Sequence, residues 1–531
     1  MKFRVVLLAV IGIFCVASPA HADWHEASSD HFVIYADDSE QDIRRFAENL
    51  ERYHSAMEFV TGRELGKPSP SNRLVVFVVG GRGDMREISG DRSGTVAGFY
   101  VPRAGASRAF VQTIRNRTGE PDFSMIILLH EYAHHFLISS TPFAMPRWVN
   151  EGAAEFFASA SFESDGSVGI GRPAMHRRGE FIHASDVEVE ELLDPELYDK
   201  RRSSRYDAFY GRSWLLYHYL HLSGQRTGQM RDYLQGMLDG LTSIDAARAA
   251  FGDLEELQEE LDRYLMQRTM SFLPLPPDRI SIGPVSIRAL PEGEAKMMDV
   301  RIRSQRGVTR EEAQEILIDA RKIARKYPDD PGVLTALAEA EYDAGNDDPA
   351  IAAADRALAL DPNRPNAYVQ KGFALFRKAE EADDRAAAYS QAVAALSALN
   401  RIENDHPIPL IYYHRSFVTQ GKPPTETARA ALERASELAP FDQALAMNTA
   451  LMLAGEGKIA FARAKLAPLA ANPHGGAVAE AAREHASALA AIEEGTAWSP
   501  PLEIETERAV EIFADPTDNA AEAPDTETEA D

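Results

Sequence analysis

The sequence predicts two architectures in series, an α+β domain followed by an all-α solenoid of repeated helix pairs. Three observations carry this reading. Strand and helix patterns alternate ahead of an apolar, histidine-bearing helix from Ser124 to Ile138. A proline-rich break, Leu273-Pro-Leu-Pro-Pro277, then interrupts the helical patterning. Beyond it the composition turns alanine-rich and repeats with a period of about 34 residues. The predicted organisation is a leader over 1–22, an α+β domain over 23–270, a linker with a small hairpin over 271–308, helical repeats over 309–496 and an acidic tail over 497–531.

Taken in order, Met1 to Ala22 reads as a secretory signal. Lys2 and Arg4 form the basic start, Val5 to Ala17 the apolar core, and Ala20-His21-Ala22 the cleavage site. The apolar run falls short of the roughly 20 residues that span a bilayer, so no stable membrane insertion is expected after cleavage. Cys15, the only cysteine, lies inside this signal. The mature chain therefore has no disulfide, thiolate metal site or cysteine nucleophile. Export across the inner membrane to a bacterial periplasm is the expected location. The net charge of −26 argues against nucleic acid or an anionic membrane surface as the main partner. The charge is uneven, and the acidic, proline-containing tail has no apolar period and is expected to be disordered.

Residues 32–36 and 74–79 read as strands. Between them Asp38 to Thr61 reads as a helix, with Ile43, Phe46, Leu50, Tyr53, Met57 and Val60 on one apolar face. Gly80-Gly81-Arg82-Gly83 reads as a strand-to-loop turn, because it lacks the G-K-[ST] ending of a phosphate loop. Gly98 to Thr113 reads as a hairpin with its second strand at about 107–113.

The chemistry concentrates in His130-Glu131-Tyr132-Ala133-His134-His135 and in Arg147-Trp148-Val149-Asn150-Glu151-Gly152-Ala153-Ala154-Glu155. The first string is H-E-x-x-H on a helix. Residues four apart stack on one helical face, so His130 and His134 can grip one zinc ion, with Glu131 beside it as general base. A catalytic zinc needs a third protein ligand and an open fourth position. Glu151 is the natural third ligand, which sets the expectation of one Zn2+ per chain. His135 points about 100° away around the helix and is expected to be structural or supporting.

These strings resemble the gluzincin metallopeptidases, the peptidase-MA-like group with H-E-x-x-H and a later glutamate ligand. The W-x-N-E-G string is similar to the ligand segment of the aminopeptidase-N-like branch. The gap from His134 to Glu151 is shorter than in that branch, and no G-A-M-E-N string is present, so exopeptidase activity does not carry over. The resemblance implies a zincin-like fold for 23–270 and peptide-bond hydrolysis through a zinc-activated water. It also implies that the strand before the zinc helix is a sheet edge available to an extended substrate, a role no more favoured here than that of a plain structural hairpin. Glu155 matches the acid that many members place four residues after the ligand, which holds a ligand histidine. An oxyanion donor is commonly a downstream Tyr or His. Here Tyr210 and His218, on the aromatic helix 206–220, are the candidates, with Tyr210 first because it lies near the helix start.

An acidic helical stretch over 186–200 precedes that helix, and helices at Met230 to Leu238 and Leu254 to Met266 follow it. In the repeat region, counting from Pro331, residues Leu337, Ala338, Gly345, Ala350, Ala357 and Pro362 fall at positions preferred by tetratricopeptide repeats, which this half resembles. Further units begin at Pro365, near Pro409 after an insertion of about ten residues, and near Gln443. Residues 311–328 read as an unpaired leading helix and 477–494 as a capping helix. Such repeats imply a protein or peptide partner on a concave face. The expected activity is that of a secreted zinc metallopeptidase acting on a peptide or protein substrate. The alternative is a non-catalytic zinc-fold scaffold working through its repeats, against which the retained Glu131 argues.

Overall fold

The computed structural model describes residues 24–90, 96–114, 119, 121–201 and 206–500. The expected signal, with Cys15, and the tail from 501 lie outside them. The first half is an α/β unit with a mixed sheet, and the second is a long stack of helices.

β1 (His25–Ser28) and β2 (Phe32–Ala36) pair antiparallel. α1 (Glu40–Thr61) follows, started by Ser39, whose side chain accepts from the Asp42 amide. Its apolar residues at steps of three and four, Ile43, Phe46, Leu50, Tyr53 and Met57, are all buried. β3 (Leu74–Val78) pairs parallel with β2, and the glycine run after it opens a short helix, α2 (Arg82–Ser89). β4 (Gly98–Val101) and β5 (Arg108–Val111) form the expected hairpin. The strand order is β4-β5-β3-β2-β1-β9, with β9 at Ser286–Ala289. The second hairpin strand is therefore not the sheet edge. β5 is paired on both sides, parallel to β3 and antiparallel to β4, and the sheet edge on this side belongs to β4.

α3 (Phe123–Ser140) is capped by Asp122, which accepts from the Met125 amide, and α4 (Arg147–Ala158) begins directly after Pro146. Two very short strands, β6 (Ser161–Phe162) and β7 (Val168–Ile170), then join β8 (Leu273–Leu275) in a second sheet. The helices α5 (Arg178–His183), α6 (Val189–Leu193) and α7 (Pro195–Asp199) follow. The acidic stretch is thus two helices, divided at Asp194, which caps the second ahead of Pro195. α8 (Phe209–Leu222), α9 (Gln229–Leu238), α10 (Ser243–Phe251) and α11 (Leu254–Leu265) complete this half.

The stretch read as a linker with a small hairpin forms no hairpin. Its strands pair away from each other, β8 with β7 and β9 with β1. The reason is edge satisfaction: β1 would otherwise present unpaired amides and carbonyls, and β9 covers them. α12 (Glu292–Gln305) then packs Met298 and Ile302 toward the sheet, and Met297 and Val300 toward the helices that follow.

The stack consists of α13 (Arg310–Lys326), α14 (Pro331–Asp343), α15 (Asp347–Leu360), α16 (Pro365–Glu380), α17 (Arg385–Ile402), α18 (Pro407–Val418), α19 (Glu426–Leu438), α20 (Gln443–Gly455), α21 (Ile459–Ala470) and α22 (Gly476–Leu489). Pro331 and Pro365 open helices, and Ala338, Ala350 and Ala357 are buried, as the period requires. The leading helix α13 is not unpaired, because α12 packs against it. The insertion is absorbed by a long α17.

The stack returns onto the first half. Ser71 donates through its amide and hydroxyl to Glu403, at 2.8 and 2.7 Å. The Ala104 amide donates to Asp442 at 2.8 Å. Phe441 packs on the His135 ring at 4.4 Å between centroids. Among the described residues no helix is long and apolar enough to cross a membrane.

Candidate functional site

The site forms where α3 meets α4, and α4 is pressed in turn against α8. α3 is apolar nearly all round, and burial of Leu129, Ala133 and Phe136 sets its rotation. That rotation carries His130 and His134, one turn apart, toward α4. α4 is buried along almost its whole length, so Glu151 is delivered with no exposed surface at all. Gly152 lets α4 approach α8 closely: a Cβ there would stand 2.4 Å from the Ser213 carbonyl oxygen.

Three ligand atoms converge. His130 Nε2 and His134 Nε2 are 3.0 Å apart. Glu151 Oε2 lies 3.6 Å from the first and 3.4 Å from the second. Ligands on a tetrahedral zinc, with bonds near 2.0–2.2 Å, stand about 3.3 Å from one another. The observed triangle matches that spacing, and these three residues form a group able to hold a metal ion.

The far side of each ring fixes its chemistry. His130 Nδ1 lies 3.0 Å from Glu155 Oε1, and His134 Nδ1 lies 3.3 Å from Asn150 Oδ1. Asn150 Oδ1 can accept from His134 Nδ1, and the Glu155 carboxylate beside His130 Nδ1, although not aligned as a hydrogen bond, electrostatically favours a proton there; that tautomer turns both Nε2 lone pairs toward Glu151. Glu151 Oε2 makes no hydrogen bond. Three acceptors thus meet at one buried point, an arrangement that only a shared cation or proton relieves.

Electrostatics reinforce it. Burial acts to raise the Glu151 carboxyl pKa, but His134, His130 and His474 outweigh burial and hold it well below the ordinary range. Glu155 is likewise held down against burial by Arg177, His176 and His130. Its Oε2 is 2.6 Å from His176 Nε2, and Arg177 donates to its Oε1 at 2.5 Å.

Glu131 follows His130 on α3 and is half-buried. Tyr210 stands at the start of α8, its ring 6.4 Å from the His130 ring and 4.8 Å from the Arg177 guanidinium. His218 is elsewhere. It is fully buried, Nε2 faces the Gly171 carbonyl at 2.9 Å and Nδ1 the Tyr264 hydroxyl at 2.9 Å. Burial lowers its pKa to about 4. Both nitrogens are committed, so His218 is a core residue and not an oxyanion donor. His135 accepts or donates to Tyr100 Oη at 2.7 Å and meets Phe441, a structural place.

Four neighbours escape the sequence reading: Asn150, His176, Arg177 and His474. Asn150 sits inside the N-E-G string, so its position was itself a signal. His176 and Arg177 lie in a single 3-10 turn, Met175–Arg177, with no motif. His474 lies in the turn between α21 and α22, in the other half of the chain. Its Nε2 is 2.9 Å from Glu151 Oε1, and its ring stands edge-on to His134 at 5.6 Å. Desolvation acts to lower the His474 pKa, although 32% of its side chain stays open to solvent, and the Glu151 carboxylate outweighs it and raises the pKa.

A family model described as a protein of unknown function, DUF1570, matches residues 127–237, which span α3, α4 and α8. No curated protein sequence matches the chain. Among solved structures, the chain is similar to a thermophilic TPR protein of Thermus thermophilus, at 19% identity over 34% of this chain and 90% of that one, with a TM-score of 0.28. It is similar to MamA of Desulfovibrio magneticus at 20% identity, over 37% and 98%, with a TM-score of 0.26. Similarity to PilF of Pseudomonas aeruginosa is 15%, over 37% and 88%, with a TM-score of 0.30.

Proposed function

We propose that the chain is a zinc-dependent peptidase of the gluzincin kind, exported to the periplasm, with a repeat half that binds a protein or peptide partner. One observation carries the metal reading: two imidazole Nε2 atoms and a carboxylate oxygen without a hydrogen bond meet within 3.0–3.6 Å. His130, His134 and Glu151 would hold the ion. When bound, zinc supplies Lewis acidity toward a carbonyl and lowers the pKa of water. Glu131 accepts the proton of the attacking water and passes it to the leaving amine. Tyr210, beside His130 and against Arg177, donates to the developing oxyanion. Glu155 and Asn150 keep the two histidines in the tautomer that leaves Nε2 free.

A cavity of about 1390 Å³ lies between the sheet and the stacked helices, lined among others by Tyr35, Arg108, Arg301, Glu339, Asn366 and Gln370. Its mixed charge suits a polar peptide segment. The metal ligands do not line it, so partner binding and hydrolysis are assigned to different places.

Zinc content of the purified chain, with peptide hydrolysis measured before and after chelation, tests the proposal. Close to one zinc per chain and chelator-sensitive cleavage are expected. A second reading, a zinc-holding scaffold without activity, is favoured by the way the helical stack covers the α3 face through Phe441 and His474. Bound zinc with no cleavage across a broad peptide library would establish it instead.

A further inference from the structure

We propose that His474, supplied by the helical stack, is a positioning residue of the metal site, so that metal affinity depends on docking of the two halves. The inference rests on the metal reading above and goes beyond it.

A ligating carboxylate is normally oriented through its second oxygen. Glu151 points Oε2 at the two histidines, which leaves Oε1 to be held from elsewhere. The polar contact to Oε1 is His474 Nε2, at 2.9 Å. Its angle falls short of a well-aligned hydrogen bond, so the contact is electrostatic. Glu151 is wholly buried, and without a partner at Oε1 its carboxylate would spread over a wider range of orientations about the one that meets both histidines, which weakens its hold on an ion without changing the ligand set. His474 does not belong to the ligand cluster itself, which is His130, His134 and Glu151.

The turn that presents His474 is built to hold it. The His474 amide donates to Asn472 Oδ1 at 3.0 Å, and the Gly475 amide donates to the Asn472 carbonyl at 3.2 Å. The stack is anchored nearby by Phe441 on His135 and by Asp442 under the Ala104 amide. Helix α3 therefore carries ligands on one face and part of the docking surface on another. The docking that seats Phe441 also seats His474.

The test is zinc affinity of the full chain, measured by competition with a chromophoric chelator. His474→Ala should weaken binding about 10–100-fold, the usual cost of losing a group that orients a ligand. His474→Gln, which keeps a donor, should recover part of the loss. Phe441→Ala, which touches no ligand, should weaken binding in the same direction, and adding it to His474→Ala should cost less than the two separate losses multiplied. Cobalt substituted for zinc should keep the same visible absorption envelope in His474→Ala. Equal zinc affinity in the wild type and His474→Ala would overturn the inference while leaving the metal site intact. A changed cobalt coordination spectrum would overturn it in favour of direct ligation by His474. A wild-type chain that binds no zinc would overturn the metal reading itself, and this inference with it.

Discussion

Gly152→Ala tests how the site is built without touching any ligand. Gly152 follows Glu151 on α4 and faces α8, where an added Cβ would lie 2.4 Å from the Ser213 carbonyl oxygen, 2.8 Å from its carbon and 3.1 Å from Tyr217 Cβ. The first two are backbone atoms of a buried helix, and no rotamer change can move them. Relief to the roughly 3.5 Å of van der Waals contact requires α4 and α8 to part by about 1 Å. Overpacking of this kind typically costs about 1–3 kcal/mol. A functional effect of similar size should accompany it, since a loss of about 100-fold corresponds to about 2.7 kcal/mol. A shift of about 1 Å in Glu151 breaks a triangle whose sides are 3.0, 3.4 and 3.6 Å, and misplacement on that scale can lower rates about 100-fold. Urea unfolding, zinc competition and peptide hydrolysis on one preparation read these effects. Gly83→Ala is the control: Gly83 lies in α2 with open space where its Cβ would go, so alanine should be neutral or stabilising by up to about 1 kcal/mol. Wild-type stability and zinc affinity in Gly152→Ala would refute the claim that the close α4–α8 approach sets the ligand geometry.

Four further outcomes are expected. Glu131→Gln should abolish hydrolysis and retain zinc, as shown by metal analysis; loss of zinc would mean that Glu131 is a ligand. Glu151→Ala should purify without zinc, whereas Glu155→Ala should keep it with about 10–100-fold lower affinity or activity, and the reverse pattern would move the third ligand one turn along α4. A chain ending at residue 270 lacks β8 and β9, exposing the edges of β1 and β7, and should aggregate in size-exclusion chromatography; a soluble monomer with bound zinc would show that those strands are dispensable. Burial lowers the pKa of His54 to about 3, and those of His218 and His406 to about 4, so all three fold neutral. The unfolded chain then binds more protons below about pH 6.5, and stability should fall with pH from there toward pH 4, by about 2 kcal/mol per histidine at pH 5. Chelator-treated protein with the same urea midpoint at pH 7 and pH 5 would contradict this.

Whatever depends on short-range geometry is already written in the chain. His130 and His134 must share a face because a helix puts residues four apart above one another, and Glu151 and Glu155 follow the same rule on the next helix. The apolar face of α1, the starts of α14 and α16 at Pro331 and Pro365, and the alanines at the repeat contacts follow from local period and proline stereochemistry alone. Long-range packing selects among locally equivalent options. Tyr210 and His218 both belong to α8, but only packing against Gly171 and Tyr264 commits His218 to the core. Strands of two to four residues such as β6, β8 and β9 carry almost no alternation, and their partners are set by which edge lies open, not by their own side chains. His474 is the extreme case. Nothing in the turn around it refers to a metal, because what gives it meaning is the return of the stack onto α3, the sum of contacts such as Phe441–His135 and Asp442–Ala104 that are weak and unspecific one at a time and definite only together.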